Sequence, residues 1–185
     1  MKTPDAIAAA VAALRSGGVI AYPTEAVYGL GCDPSDEQAV ARLFALKQRP
    51  PEHGVLLIAA SFVQVEKYIG AAPAAAIARA RATWPGPHTW VFPRSAATPS
   101  WLAGTHSGIA LRVTAHAQAA ELCRAFGGAL VSTSANRHGA EPARSYAEVR
   151  AAFGGELAYI LEGDTGGLVR PTPIRDAVSG AQLRI

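Results

Sequence analysis

The stretch VIAYPTEAVYGLGCD, residues 19–33, passes from an apolar run into a turn rich in proline and glycine. Its first four residues, 19–22, are continuously apolar and predict a buried strand. The following segment, 23–33, predicts a loop that contains Gly29 and Gly31. This order of buried strand and polar loop is typical of α/β proteins, which bind ligands in loops at strand ends.

The same alternation of helical and strand-like segments continues along the whole chain. Capping boxes that begin at Ser35, Ser61 and Ser145 predict three helix starts, and Gly-Gly pairs follow three helices. The predicted helices cover residues 4–16, 35–46, 74–84, 115–126 and 145–154, and a further helix is predicted to start at residue 61. The predicted strands cover residues 19–22, 55–58, 88–92, 108–113, 129–133, 158–161, 173–178 and 182–185.

This pattern predicts an α/β domain of the α+β type, with a twisted open mixed sheet and helices on its faces. A regular doubly wound sheet is not favoured, because some predicted helices follow one another without a strand between them. No linker, repeat or charge run indicates a boundary. We therefore expect one domain over residues 1–185.

Composition limits the function without deciding it. The chain has 185 residues, 50% of them hydrophobic and 17% charged, with a mean hydropathy of +0.15, which excludes a disordered protein. Only three cations are lysine and fourteen are arginine, and the net charge is +3. Arginine suits phosphate and nucleic acid, but codon bias explains the same excess in a chain so rich in alanine.

Several familiar kinds of site are missing from the sequence. There is no P-loop and no G-x-S-x-G elbow, and the five histidines lack metal-ligand spacing, so no metal site is predicted. Cys32 and Cys123 lie far apart and predict reduced thiols. No apolar run approaches the roughly 20 residues that span a bilayer. The expectation is a soluble, cytoplasmic protein with no membrane contact.

Polar side chains concentrate instead in five places after predicted strands or helices. Each has an ordinary structural explanation, such as a turn, a helix cap or a cation at a helix C-terminus. Together they predict an anion-binding cleft without a built-in nucleophile, which positions substrates. The five places are the turn around Thr24, the pair Lys47 and Arg49, the strand end at Arg112, the run 132–136, and the segment 170–176 with Arg184 near the terminus.

The motifs in this order resemble the YrdC-like family. They are YPTEAVYGLGCD at 22–33, LKQRP at 46–50, WPGP at 84–87, STSAN at 132–136 and IRD at 174–176. The resemblance covers nearly the whole chain and implies a twisted α/β sheet with a concave basic cleft. It also implies an enzyme, a nucleotidyltransferase that joins L-threonine, bicarbonate or CO2, and ATP into threonylcarbamoyl-adenylate and pyrophosphate.

The resemblance also implies roles for individual residues. Lys47 and Arg49 match a K-x-R motif that meets the nucleotide phosphates and supplies the catalytic cations. The implied ATP-binding residues are Lys47, Arg49, Ser134, Asn136 and Arg184. The implied threonine-binding residues are Thr24, Arg112, Ser132 and Thr172. Two departures from the family pattern stand near them, Ala26 in place of a threonine and His53 in place of a lysine.

The remaining expectations concern cofactors and partners. ATP is expected as a substrate with Mg²⁺, with no permanently bound cofactor, and a lid is expected at residues 163–168. The family implies partner proteins that transfer the threonylcarbamoyl group to tRNA. An alternative function stays open, in which the same basic cleft binds tRNA or double-stranded RNA, as in ribosome maturation, without chemistry.

Overall fold

The computed structural model describes residues 3–170 and 172–184. These residues form seven α-helices and nine strands. The helices are α1 (Thr3–Arg15), α2 (Glu37–Lys47), α3 (Phe62–Val65), α4 (Ala74–Arg81), α5 (Ser100–Ala103), α6 (Ala117–Phe126) and α7 (Tyr146–Phe153). The strands are β1 (Ile20–Pro23), β2 (Tyr28–Gly31), β3 (Leu56–Ala59), β4 (Thr89–Pro93), β5 (Gly108–Val113), β6 (Leu130–Ser134), β7 (Tyr159–Ile160), β8 (Ile174–Asp176) and β9 (Gln182–Arg184).

The strands form one mixed sheet in the order β7-β1-β2-β6-β3-β5-β4-β8-β9. Three pairs are parallel, namely β1 with β7, β3 with β5 and β4 with β8. The other neighbouring pairs are antiparallel. The predicted mixed sheet is therefore confirmed, and a doubly wound parallel sheet is excluded.

The two faces of this sheet are covered unequally. Because side chains alternate between faces along a strand, neighbouring residues join different cores. In β3, Leu57 belongs to the larger buried cluster, which α2, α4 and α7 complete, whereas Ile58 belongs to a smaller cluster formed with α1 and α6. The two helices of the smaller cluster cover only part of their face. The uncovered part holds the cleft described below.

One predicted loop is a strand. The segment 23–33 contains β2, which pairs with β1 through Tyr22 and Gly29 and with β6 through Gly29 and Ser134. The prediction was wrong because two glycines lower the β-propensity of this segment. Gly31 has a packing reason, since a Cβ there would collide with the carbonyl of Val131.

Helix ends differ from the sequence predictions in two places. Helix α2 begins after Asp36, whose carboxylate accepts a hydrogen bond from the Ala39 amide at 3.0 Å. The predicted cap Ser35 instead donates to Asp33. Helix α4 ends at Arg81 rather than at residue 84. The cap predicted at Ser145 is confirmed, because its hydroxyl accepts from the Glu148 amide at 3.2 Å.

Both cysteines are buried and unpaired, and burial raises the pKa of each thiol to about 12. They are therefore poor nucleophiles at neutral pH. Within residues 3–170 and 172–184, no helix has the length and apolar character that crossing a membrane requires.

Candidate active site

An open cleft of about 600 Å³ lies on the part of the sheet face that α1 and α6 leave uncovered. Strands β1, β3 and β6 bury Tyr22, Ile58 and Leu130 beneath those helices. Two residues after Tyr22 and Leu130, and two residues before Ile58, the side chains are no longer covered by a helix and line the cleft. The residues at those positions are Thr24, Leu56 and Ser132. The floor of the cleft is thus a direct continuation of the covered face.

A buried guanidinium stands at one end of this cleft. The side chain of Arg112, in β5, is only 5% exposed, and its Nη2 lies 3.7 Å from the Oε2 of Glu25. Its Nη1 donates to the hydroxyl of Thr172 at 2.7 Å. Its Nε has no hydrogen-bond partner. Buried polar groups are rarely left unpaired, so this cation is suited to an anionic ligand that enters the cleft.

Glu25 holds the cation in place from behind. Its Oε1 accepts hydrogen bonds from the Thr114 hydroxyl at 2.6 Å and from the Ala115 amide at 3.3 Å. The carboxylate does not line the cleft. Sequence reasoning missed this residue, although its place in the P-T-E turn, beside a predicted ligand residue, was a usable signal. One carboxylate near the guanidinium offsets its charge and fixes its orientation.

Hydroxyl groups surround the cleft side of Arg112. Thr24 belongs to the turn between β1 and β2, where its Oγ1 donates to the carbonyl of Val27 at 2.7 Å. Ser132, in β6, lines the cleft, and the Tyr22 hydroxyl donates to the carbonyl of the preceding residue, Val131, at 3.3 Å. Burial raises the pKa of Tyr22, so its phenol stays neutral. The structure therefore brings the four predicted threonine-binding residues, Thr24, Arg112, Ser132 and Thr172, to one cleft.

The K-x-R pair separates at the end of α2. Gln48 takes a left-handed conformation, with φ 52°, and turns the chain sharply. Arg49 then lines the cleft, where its guanidinium donates to the Thr133 hydroxyl at 3.4 Å and to the His53 carbonyl at 3.3 Å. Lys47 points elsewhere and is only 3% exposed.

Lys47 supports the loop after β6 and does not line the cleft. Its Nζ donates to the Ser134 carbonyl at 2.5 Å, and to the Asn136 carbonyl and Oδ1 at 2.8 and 3.3 Å. Burial, with a smaller effect of the nearby Arg49 charge, lowers the pKa of Lys47 to about 8. The ammonium is therefore a cation whose charge is easily lost above neutral pH.

Ser134 and Asn136 also differ in position, as Arg49 and Lys47 do. Ser134 lines the cleft and donates to the Asn136 Oδ1 at 2.6 Å. The Asn136 amide donates to the carbonyls of Arg137 and Ala140 and closes the loop behind the cleft. Of the predicted ATP-binding residues, Arg49 and Ser134 line the cleft, while Lys47 and Asn136 lie behind it. The side chain of Arg184 lies outside the described residues.

Part of the cleft lining is apolar. Val91, Ile174, Val178 and Leu183 form this part, and the last two are 44% and 58% exposed. His53 and His106 lie along its edge, and His106 is a cleft residue that the sequence did not single out. An apolar wall beside cations suits a ligand that combines a flat ring with phosphates.

The segment 163–168 is fixed against the turn that carries Thr24. The amides of Gly166 and Leu168 donate to the carbonyls of Thr24 and Glu25 at 2.9 and 3.0 Å. The hydroxyl of Tyr28 donates to the Gly163 carbonyl at 2.6 Å. These contacts pack the segment against the turn that carries Thr24, and its role as a lid stays a prediction.

The side chains that line the cleft also indicate how Mg²⁺ could bind. The described residues contain no group of three or more His, Cys, Asp and Glu side chains placed to hold a metal ion. Asp176 is the one carboxylate among the described residues that line the cleft, and hydrogen bonds from Ser179 lower its pKa. Mg²⁺ commonly binds through one carboxylate and substrate phosphates. The residues therefore fit Mg²⁺ that arrives as part of MgATP.

Residues 12–185 match the Sua5/YciO/YrdC family model, which carries the description telomere recombination. The chain belongs to this family. A threonylcarbamoyl-AMP synthase from Halorhodospira halophila is 56% identical over 181 residues, covering 98% of this chain and 95% of that protein. Another from Coxiella burnetii is 52% identical over 176 residues, covering 95% of each.

Solved structures of the Sua5/YciO/YrdC family share the fold. The crystal structure of P. abyssi Sua5 complexed with L-threonine has a TM-score of 0.88 and 32% identity over 95% of this chain. This chain spans about half of that Sua5 chain, 52% of its length. E. coli YciO, at 24% identity and a TM-score of 0.80, has the same fold.

Proposed function

We propose that this protein is a threonylcarbamoyl-AMP synthase, an enzyme that makes threonylcarbamoyl-AMP and pyrophosphate from L-threonine, bicarbonate or CO2, and ATP. The relatives named for this activity cover the chain almost from end to end. The observation that carries the proposal is the buried guanidinium of Arg112, with its unpartnered Nε, among three hydroxyl-bearing residues in one cleft. An amino-acid carboxylate is an anion of the right size and charge for it.

The roles of the other residues follow from their places along the cleft. Thr24, Ser132 and Thr172 surround the amino acid, and Arg49 and Ser134 meet the phosphates of MgATP. Lys47 and Asn136 hold the loop that carries Ser134. Lys47 also adds positive charge behind the phosphates, which is where charge develops during phosphoryl transfer.

The reaction then needs no protein nucleophile. The threonine ammonium first loses a proton to solvent, and the resulting amine combines with bicarbonate to give a carbamate and water. A carbamate oxygen attacks the α-phosphorus of ATP, and the bond to the departing pyrophosphate breaks. Mg²⁺ supplies charge neutralisation on the phosphates. The cleft contributes position and electrostatic stabilisation, the two terms that dominate such reactions.

The product is expected to pass to partner proteins that place the threonylcarbamoyl group on tRNA, in the cytoplasm. Buried, unpaired cysteines fit that reducing compartment. We take residues 1–185 to act as one domain. The alternative of an RNA-binding protein without chemistry is not favoured, since the relatives carry an enzyme's name.

The decisive experiment measures pyrophosphate release from ATP with Mg²⁺, bicarbonate and one amino acid at a time. We expect release with L-threonine and loss of release when bicarbonate is removed. Mass spectrometry of the product then identifies threonylcarbamoyl-AMP. Equal release with and without amino acid, or no release at all, would contradict the proposal.

A further inference from the structure

Gly29 lines the same cleft as Arg112. It is part of β2, paired with Tyr22 on one side and with Ser134 on the other. It is absent from the glycines with positive φ, so its backbone conformation is one that any L residue can adopt. A need for conformational freedom therefore does not explain the glycine.

The space above Gly29 has a definite chemical outline. A Cβ built on Gly29 would lie 3.2 Å from the Ser132 Oγ, 3.4 Å from the Thr24 Cγ2 and 3.6 Å from the Thr133 carbonyl oxygen. One wall is thus a methyl group, and the other is a hydroxyl beside a carbonyl. A Cβ would itself be tight against the Ser132 Oγ, so the missing side chain lets a ligand group approach the strand backbone closely between these walls.

We propose that the space above Gly29 receives the side chain of the amino-acid substrate and makes Gly29 a determinant of selectivity for threonine. This inference rests on the proposed function. The β-carbon of threonine carries one methyl and one hydroxyl, which match the methyl of Thr24 and the oxygens of Ser132 and Thr133. Serine lacks the methyl, and valine lacks the hydroxyl that pairs with buried polar groups.

Gly31, two residues further along β2, is a glycine for a different reason from Gly29. A Cβ at Gly31 would lie 2.8 Å from the Tyr22 Cε1 and collide with the Val131 carbonyl, so packing within the fold requires that glycine. At Gly29 the nearest atom is the side-chain oxygen of Ser132, which can move by a few tenths of an ångström. We therefore expect the fold to accept a methyl at Gly29 with a small shift of the Ser132 hydroxyl, and the methyl to block close approach of the ligand.

The test is the variant G29A, assayed for pyrophosphate release with L-threonine, L-serine and L-valine at fixed ATP and bicarbonate. A single methylene in a ligand pocket changes discrimination by about 10- to 200-fold. We expect the KM for threonine to rise about tenfold or more and the preference for threonine over serine to fall. The KM for ATP should stay within about twofold, because Arg49 and Ser134 are unchanged.

G155A is the matched control. Gly155 has no atom within 4 Å of a built Cβ and no positive φ. Its variant should keep every KM at the wild-type value. Circular dichroism melts of both variants check folding, and G29A is expected to melt within a few degrees of the wild type.

A second variant, T24S, approaches the same space from its apolar wall. It removes the Cγ2 methyl and retains the hydroxyl that donates to the Val27 carbonyl. Loss of the contact between the Thr24 methyl and the substrate methyl should lower the preference for threonine over serine by about fivefold to tenfold. This range is what one methyl contact contributes. This variant keeps the inference testable if G29A does not fold.

The outcomes separate the two claims. An active wild type whose threonine KM and threonine-to-serine preference stay within twofold in G29A and T24S overturns the role of Gly29 and leaves the synthase intact. A wild type that releases no pyrophosphate with any amino acid overturns the proposed function and the inference that rests on it.

Discussion

One face of the sheet behaves differently along its length. Under α1 and α6, strands β1, β3 and β6 bury Tyr22, Ile58 and Leu130 in an apolar cluster. On the same face, Thr24, Leu56 and Ser132 open into the cleft. Leu56 and Ser132 belong to the same strands as Ile58 and Leu130, so the presence or absence of a covering helix decides whether a residue contributes to stability or to ligand binding.

The largest contrast is expected from L130A in the covered half. Leu130 is fully buried, and truncating such a residue costs about 2–5 kcal/mol through lost transfer energy and a cavity. We expect urea unfolding to show this loss, while the KM for threonine of the remaining folded enzyme stays unchanged. A raised KM for threonine without a loss of stability would contradict the view that the covered half serves stability alone.

The next largest effect is expected from R112K in the open half. Lysine keeps the charge but loses the planar fork, and hydrogen bonds to charged groups are worth about 1.5–3 kcal/mol. We therefore expect the KM for threonine to rise by about 10- to 150-fold with little change in the KM for ATP.

The matched control for R112K is R124K, because Arg124 is an exposed residue near the end of α6. It should leave both KM values unaltered. If R112K has the same KM for threonine as the control, Arg112 does not bind the threonine carboxylate.

The sequence predicted the covered half better than the open half. Apolar periodicity identified α1, β3 and β6, because burial under a helix leaves a regular pattern. It missed β2, where glycines serve packing at Gly31 and cleft space at Gly29. It named most of the polar cleft residues through their motifs, but the division of Lys47 from Arg49 depends on the left-handed turn at Gln48. That turn is a tertiary consequence which no local pattern specifies.

A smaller effect is expected from the pH dependence of Lys47, which lies behind the cleft. The pKa of Lys47 is lowered to about 8, so its charge is present below that pH and lost above it. Affinity for a non-hydrolysable ATP analogue should therefore fall by up to about tenfold per pH unit above pH 8. Isothermal titration calorimetry between pH 7 and 9.5, without threonine, measures this fall.

The variant K47R supplies the reference for the pH series, because a guanidinium stays charged throughout this range. Its affinity should be flat with pH. A wild-type affinity that is equally flat would show that the Lys47 charge does not reach the nucleotide.

The smallest effect is expected from S132A, two residues from Leu130 on the same strand and face. Removing one hydroxyl costs about 0.5–1.5 kcal/mol of a neutral hydrogen bond, or roughly 2- to 12-fold in the KM for threonine. Stability should change by less than it does in L130A. Equal losses of stability in S132A and L130A would show that the covered and open halves of the face contribute equally to stability.

A crystal structure of the protein with L-threonine and a non-hydrolysable ATP analogue tests the central claim most directly. The account predicts the threonine carboxylate within hydrogen-bond distance of the Arg112 guanidinium, its side chain above Gly29, and the phosphates at Arg49 and Ser134. Threonine bound outside the cleft, or with its carboxylate at Arg49 and phosphates at Arg112, would contradict it.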